Sequence, residues 1–527
     1  MLHFRITLLI IGLWSCVCTT TVAAQSGNSR IVDVNAAQTG SILDRNFARC
    51  VGAGRANEGL RADWQRQLTM AKRECGFEYI RFHGLLADDM GVYKEDKNGV
   101  PQYNWQYIDE LYDFLLRIKV RPFVEIGFMP NALASGRATV FWWRGNITPP
   151  KDYQKWNQLI SKLIEHWTER YGRDEVRRWY FEVWNEPNLR NLFFFGSQSD
   201  YFKMYQETAN TIKKVDSRYR VGGPASAGNA WITDLIDFCA EKSVPIDFIS
   251  THDYGVKQGF LDVSGTVGTI VNPDKNSVSN NMRRSFQEIR RSKKPDLELH
   301  YTEWSSSYTP TDPLHDTYQE ASYILNTVKR AAHVVNSLSY WTFTDIFEEQ
   351  GPKMTPFHGG FGLLNYQDIK KPAYYAYSYL NQLAKYELPA SDSSSIVTKD
   401  AQGNIAALFW DCTIDHPGDS TNDQVYYKKN LPARPSGQLK IQVRGLKPGK
   451  YQLEVHRTGY RVNDAYSAYM ALQSPSQLTI TDVAAINRNN ADAPVLNGTV
   501  RIDANRTFER TFQLQQNDVY FLKLRRL

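Results

Sequence analysis

From about residue 45 to residue 380 the chain repeats one unit: a short β-rich apolar segment, a polar turn, then an amphipathic helical stretch. The candidate strands fall at 48–54, 78–84, 120–128, 179–187, 220–226, 247–255, 297–305 and 338–347, which makes eight. Between them run helical patterns such as 64–75, 107–118, 153–171, 201–215 and 321–335. Eight strands separated by helices, with no GxGxxG after the first, predict an α/β chain closed into a (β/α)8 TIM barrel rather than an open doubly wound sheet. In such a barrel the chemistry sits at the C-terminal ends of the strands.

Past residue 385 the pattern changes to short strands with turns, at 405–413, 438–460 and 510–527, the middle one broken by the turn Leu446-Lys447-Pro448-Gly449. This reads as a β-sandwich over 385–527, beside a barrel of 45–384. Residues 30–40 also alternate like a strand, so the segment 25–44 is expected to join that sandwich. No long Ser/Pro linker separates the two parts, which are expected to pack firmly.

Residues 1–24 have a basic start, an apolar run and small residues before Gln25, the form of a cleaved signal peptide. The expected destination is the periplasm or the exterior, and the run is too short to span a bilayer. Lipid attachment at Cys16 is an alternative that the bulky Trp14 fits badly. The cysteines beyond residue 24, Cys50, Cys75, Cys239 and Cys412, form no CxxC pair and have no zinc-ligand spacing, so buried thiols are the default.

A net charge of +6, spread without a basic block, argues against nucleic acid or an anionic membrane as partner. An aromatic content of 13% suits a neutral carbohydrate, which stacks on rings. Two carboxylates fall where a barrel does its work, at the ends of candidate strands four and seven: Glu186 and Glu303. A lone Glu at a strand end is more often a rim acid paired with Arg. Two of them, each in an aromatic setting, supply what cleavage of a glycosidic bond needs: one acid for the leaving oxygen, and one carboxylate to attack or to guide water.

The sequence also resembles a known family. Trp184-Asn185-Glu186-Pro187-Asn188 and Thr302-Glu303-Trp304 look like the catalytic segments of clan A of the glycoside hydrolases. The resemblance within that clan is to glycoside hydrolase family 39, which includes β-xylosidases and α-L-iduronidases. It extends through Arg81-Phe82-His83-Gly84-Leu85, Pro122-Phe123-Val124-Glu125, Phe128-Met129-Pro130, Pro149-Pro150-Lys151-Asp152-Tyr153 and Gly359-Gly360-Phe361-Gly362-Leu363, in that order. It implies a retaining mechanism with Glu186 as acid/base and Glu303 as nucleophile, their carboxyl groups about 5–5.5 Å apart. It also implies Asn185 as donor to the sugar 2-hydroxyl, and Glu348 and Glu349 as acceptors for outer hydroxyls.

His83, His252, Tyr254 and Trp341 are expected around the sugar, and residues 252 and 254, two apart on a strand, should face the same way. Tyr254 is placed to keep Glu303 ionised through a hydrogen bond. His83, His252, His300 and His358 lack metal-ligand spacing such as HxxxH, and catalysis by carboxylates needs neither metal nor cofactor. The expected partner is a small oligosaccharide or glycoside. Tyr254 and the acidic loop after strand eight favour a neutral pentose, hence a β-xylosidase, over iduronate, whose carboxylate wants Lys or Arg. Arg190, Lys257 and Lys353 could still supply that cation, and arabinose-containing oligosaccharides also fit the motifs. A non-catalytic carbohydrate-binding protein would be expected to lack one carboxylate, and both are present.

Overall fold

In the computed structural model, which describes residues 29–261, 267–418 and 421–527, the alternating units close on themselves. The expected leader at 1–24, with Cys16, lies outside the described residues. The barrel strands are β1 Cys50–Arg55, β2 Tyr79–His83, β3 Arg121–Ile126, β4 Tyr180–Val183, β5 Arg220–Ser226, β6 Phe248–Tyr254, β7 Glu298–Ser305 and β8 Ser337–Tyr340. Each pairs in parallel with its neighbours, and Tyr340 of β8 meets Val51 of β1 to complete the ring.

A helix follows each strand: α1 Ala62–Cys75, α2 Gln106–Arg117, α3 Tyr153–Tyr171, α4 Gln198–Val215, α5 Ile232–Lys242, α6 Ser277–Arg291, α7 Gln319–Ala331 and α8 Pro372–Asn381. Their ends are chemically marked. Asp152 caps α3 by accepting from the backbone N–H groups of Gln154 and Lys155, and Ser197 and Asp200 form a capping box on α4. Along α3, Trp156, Leu159, Ile160, Leu163, Ile164 and Trp167 recur at helical spacing and are all buried.

Side chains two apart on a strand face the same side, so the interior of the barrel is built in layers. At the N-terminal end, the rings of Tyr79, Phe123, Tyr180, Phe248 and His300 pack edge to face and form a floor. Two residues further along the strands, Arg81, Glu125, Glu182, Ser250 and Thr302 form a buried polar layer. The next step reaches the mouth at His83 and His252.

The C-terminal part is a sandwich. A three-stranded sheet (Ser29–Asn35, Pro435–Arg444, Phe508–Gln515) and a seven-stranded sheet enclose a core that includes Val32, Val34, Leu439, Ile441, Leu453 and Leu522. Ser29–Asn35 runs parallel to Pro435–Arg444, while Ser41–Ile42 edges the other sheet, so the N-terminal segment feeds both. Tyr379 of α8 stacks on Phe521, with ring centroids 5.1 Å apart, and joins the sandwich to the barrel.

Two helices, Ala465–Ala471 and Ile480–Asn489, depart from the all-strand expectation for this part. Asp464 caps the first, Thr479 and Asp482 box the second, and Tyr466, Tyr469 and Ile486 pack against Phe357 and Ile369 of the barrel. Strand β8 also ends earlier than the expected 347, because the chain after Tyr340 folds over the mouth, where Thr342 and Phe343 bond to Phe361, Leu363 and Leu364. Cys50, Cys75, Cys239 and Cys412 are buried free thiols. No helix among the described residues is long and apolar enough to cross a membrane.

Candidate active site

Beyond β4 the chain turns through left-handed backbone at Trp184 (φ 73°) and Glu186 (φ 42°), conformations that persist in non-glycine residues only when their surroundings fix them. The fixing contacts are present. Trp184 Nε1 donates to the Phe193 carbonyl at 2.7 Å, the Glu186 N–H donates to the Ala225 carbonyl at 2.8 Å, and the Asn188 amide bonds both ways with the Ala227 backbone. The Glu186 carboxyl is thereby held at the mouth.

Glu303 reaches the same space from β7. Its Oε1 accepts from Arg81 Nη1 at 2.5 Å and its Oε2 from the Tyr254 hydroxyl at 2.6 Å. Across from it, Glu186 Oε1 lies 2.9 Å from His252 Nδ1, which is 3.6 Å from Glu303 Oε2. One oxygen of each carboxyl and one nitrogen of His252 all lie within 4.8 Å of one another. That spacing would admit a cation, yet Arg81 and His83 already supply positive charge there.

Burial and the charge of Glu303 hold the Glu186 carboxyl well above the usual carboxylate range. Burial also raises Glu303, but Arg81, His83 and the Tyr254 hydroxyl work against it. Of the two, Glu303 is the one whose charged form is favoured by direct donors, Arg81 and the Tyr254 hydroxyl. Burial would strip His83 of its proton, but the Glu125 carboxylate at 2.6 Å overrides it and pushes the imidazole up to about 10. His252 is the opposite case: burial, reinforced by Arg81 and His83, keeps it neutral.

The Asn185 Oδ1 accepts from Arg81 Nη2 at 2.8 Å, which leaves its NH2 group as a donor toward the cavity it lines. Trp341 lies over Gly52, where a Cβ would collide with the indole, and sits 4.9 Å from the His83 ring. The cavity encloses about 560 Å3, within the usual range for a small-ligand site.

Of the expected site residues, His83, Asn185, Glu186, Tyr254, Glu303, Trp341 and Glu349 line this cavity. His252 lies beneath its wall, bonded to Glu186 and Thr302 instead of facing a ligand. Glu348 points away: its carboxylate accepts from Arg55 at 2.8 Å and Arg61 at 3.2 Å. Glu349, the next residue, faces the cavity, 3.5 Å from His83.

Sequence reasoning passed over the working parts of the layer below: Arg81, Glu125, Glu182 and Thr302. A signal was there, since a charge in the middle of an apolar strand must be paired to be buried. It also missed the apolar wall formed by Leu189, Leu192, Phe193, Val256, Tyr308 and Phe361, which comes from segments beyond the barrel strands.

A family model described as glycosyl hydrolases family 39 matches residues 30–504. The chain belongs to glycosyl hydrolase family 39. This family 39 glycoside hydrolase is 46% identical over 358 residues to a beta-xylosidase of Caldicellulosiruptor saccharolyticus, spanning 67% of this chain and 72% of that protein. A beta-xylosidase of Geobacillus stearothermophilus is 44% identical over 380 residues, 70% of this chain and 75% of its own. The crystal structure of a monomeric beta-xylosidase from Caulobacter crescentus CB15 superposes with a TM-score of 0.91 at 38% identity, covering 94% of this chain and all (100%) of the other. An alpha-L-iduronidase of Mus musculus is more distant, at 27% identity over 36% of this chain and 31% of that protein.

Proposed function

We propose that this family 39 hydrolase is a retaining β-xylosidase acting on xylo-oligosaccharides by double displacement. Glu303 attacks the anomeric carbon while Glu186 protonates the departing oxygen. Glu186, now a carboxylate, then takes a proton from the water that releases the sugar from Glu303. The observation that carries this reading is the close approach of Glu186 and Glu303, with oxygens within 4.8 Å. An inverting pair stands about 6.5–9.5 Å apart, to leave room for a water between carboxyl and sugar.

The choice of sugar rests on charge. No Lys or Arg is among the described residues that line the cavity, and the protonated His83 in its wall already faces Glu125 at 2.6 Å and Glu349 at 3.5 Å, so a uronate carboxylate would compete with anions for it. Of the three cations that could have reached in from loops, Arg190 donates to the Gly196 carbonyl and Lys353 to Gln350, and Lys257 is not among the lining residues. The beta-xylosidase relatives support the same reading. Export of the mature chain remains part of the proposal on the strength of residues 1–24.

A panel of aryl glycosides that differ only in the sugar tests the substrate. The β-D-xyloside is expected to show the highest kcat/KM, with the α-L-arabinoside lower and the α-L-iduronide close to background. Fastest turnover of the iduronide would overturn the assignment.

A further inference from the structure

His252 is fully buried, and both of its ring nitrogens have partners. Nε2 lies 3.1 Å from Thr302 Oγ1, and Nδ1 lies 2.9 Å from Glu186 Oε1. The Thr302 hydroxyl donates to Glu182 Oε1 at 2.7 Å. Burial and the neighbouring Glu125 raise the Glu182 carboxyl, while Arg81 Nε, 2.8 Å from Oε2, and the Thr302 hydroxyl favour its charged form as the acceptor of both bonds. A hydroxyl has one hydrogen to give. Since Thr302 gives its hydrogen to Glu182, it can only accept from His252, so Nε2 carries the proton of the neutral imidazole. Nδ1 is then bare, and Glu186 can hydrogen-bond to it only as a carboxylic acid.

We propose that Glu182, Thr302 and His252 form a one-way hydrogen-bond chain that fixes His252 as its Nε2–H tautomer, making Nδ1 the acceptor for the proton of resting Glu186. The proposal rests on Glu186 being the acid/base and makes His252 a positioning residue instead of a sugar contact. In the substrate-free enzyme the acid's hydrogen is stored on this bond. A turn of the carboxyl group about its Cγ–Cδ bond delivers it to the glycosidic oxygen, breaking one O–H bond and making another. Ionised Glu186 then faces a lone pair on Nδ1 rather than a donor, which strengthens it as the base for the second step. The other charged or titratable groups around it are Glu303, Arg81, His83, Tyr254 and Glu349, and none of them belongs to the chain except Arg81, through Glu182.

Neutron diffraction from a deuterated crystal reads the chain directly and without activity. Deuterium is expected on His252 Nε2 and on Glu186 Oε1, with none on Nδ1; deuterium on Nδ1 would overturn the proposal. In solution, Thr302→Val removes the hydroxyl and frees the imidazole to carry its proton on Nδ1, which then donates to ionised Glu186. The basic limb of kcat/KM should move down by about one pH unit, and Thr302→Ser should restore it. A limb that stays in place in folded Thr302→Val contradicts the chain. Failure to cleave any xyloside by the unaltered enzyme would instead count against the functional reading, and would leave the neutron result intact.

Discussion

The guanidinium of Arg81 places Nη1 2.5 Å from Oε1 of Glu303 while its other nitrogens reach Glu182, Glu125 and Asn185. One buried cation thus orients Glu303, the proposed nucleophile, Asn185, the proposed donor to the sugar 2-hydroxyl, and Glu182, where the proposed chain to His252 starts. Arg81 and protonated His83 face the carboxylates of Glu125, Glu182 and Glu303, so the layer under the anomeric carbon keeps an excess of negative charge. The proposed mechanism passes through a transition state with oxocarbenium character, which such an excess would stabilise.

Replacing Arg81 by Met removes the cation and leaves those carboxylates buried without it. Loss of one partner of a buried ion pair costs about 3–5 kcal/mol, so thermal denaturation should show a marked drop. Without the guanidinium, Glu303 binds its proton more tightly, and the acidic limb of the kcat/KM profile should move up. An unchanged melting temperature and an unmoved limb would contradict the central place given to Arg81.

Glu348 and Glu349, adjacent in sequence, should respond differently to the same change. Glu349→Gln, on the cavity wall 3.5 Å from His83, is expected to raise KM or lower kcat/KM with little change in stability. Glu348→Gln breaks ion pairs with Arg55 and Arg61 outside the cavity, and should lower the melting temperature while leaving KM nearly unchanged. Steady-state kinetics and calorimetry on the two variants would show whether the roles are reversed.

The eight-unit alternation made the barrel legible, because a parallel strand buried on both faces stays apolar and each helix keeps its stripe. That Glu186 and Glu303 meet at one cavity could be read because both stand at the C-terminal ends of barrel strands. The place of His252, against Glu186 and Thr302, could not, since whether a strand-end side chain meets ligand or protein depends on the depth of its layer, which strand pairing sets. Glu348 was lost for a similar reason: its partners Arg55 and Arg61 lie 293 and 287 residues away. The helices at 465–489 hid in a stretch where local capping outweighed the surrounding strand pattern.

Several carboxyl groups outside the cavity lining are raised by burial: Glu58 to about 8, and Asp312, Glu320 and Asp423 to about 7. In the unfolded chain such groups release their protons near 3.8 to 4.5. Between those values the folded protein binds more protons than the unfolded one, so their contribution to stability is lost as pH rises through the folded values. The melting temperature is expected to be higher at about pH 5 than at about pH 8.5, and Glu58→Gln should flatten part of the slope. A fold that becomes more stable over that interval would contradict this reading of the buried acids.

Glu186→Ala should cripple hydrolysis of xylosides with poor leaving groups and spare activated aryl xylosides, because a good leaving group needs little protonation. Added azide should restore turnover and give a β-xylosyl azide. Equal loss on every substrate with no rescue would remove Glu186 from the acid/base role.

The most direct test of the account is to trap the covalent intermediate with a 2-fluoro xyloside that carries a good leaving group. Fluorine destabilises the oxocarbenium-like transition state and removes the hydroxyl that Asn185 is placed to bind, which slows both steps. The leaving group keeps the first step fast enough for the ester to accumulate. Mass analysis of peptic fragments is expected to find the sugar on the peptide containing Tyr301-Thr302-Glu303-Trp304, bound through Glu303. A label on any other residue, or no covalent adduct together with a first-formed sugar of inverted configuration by NMR, would contradict the assignment of Glu303 as nucleophile.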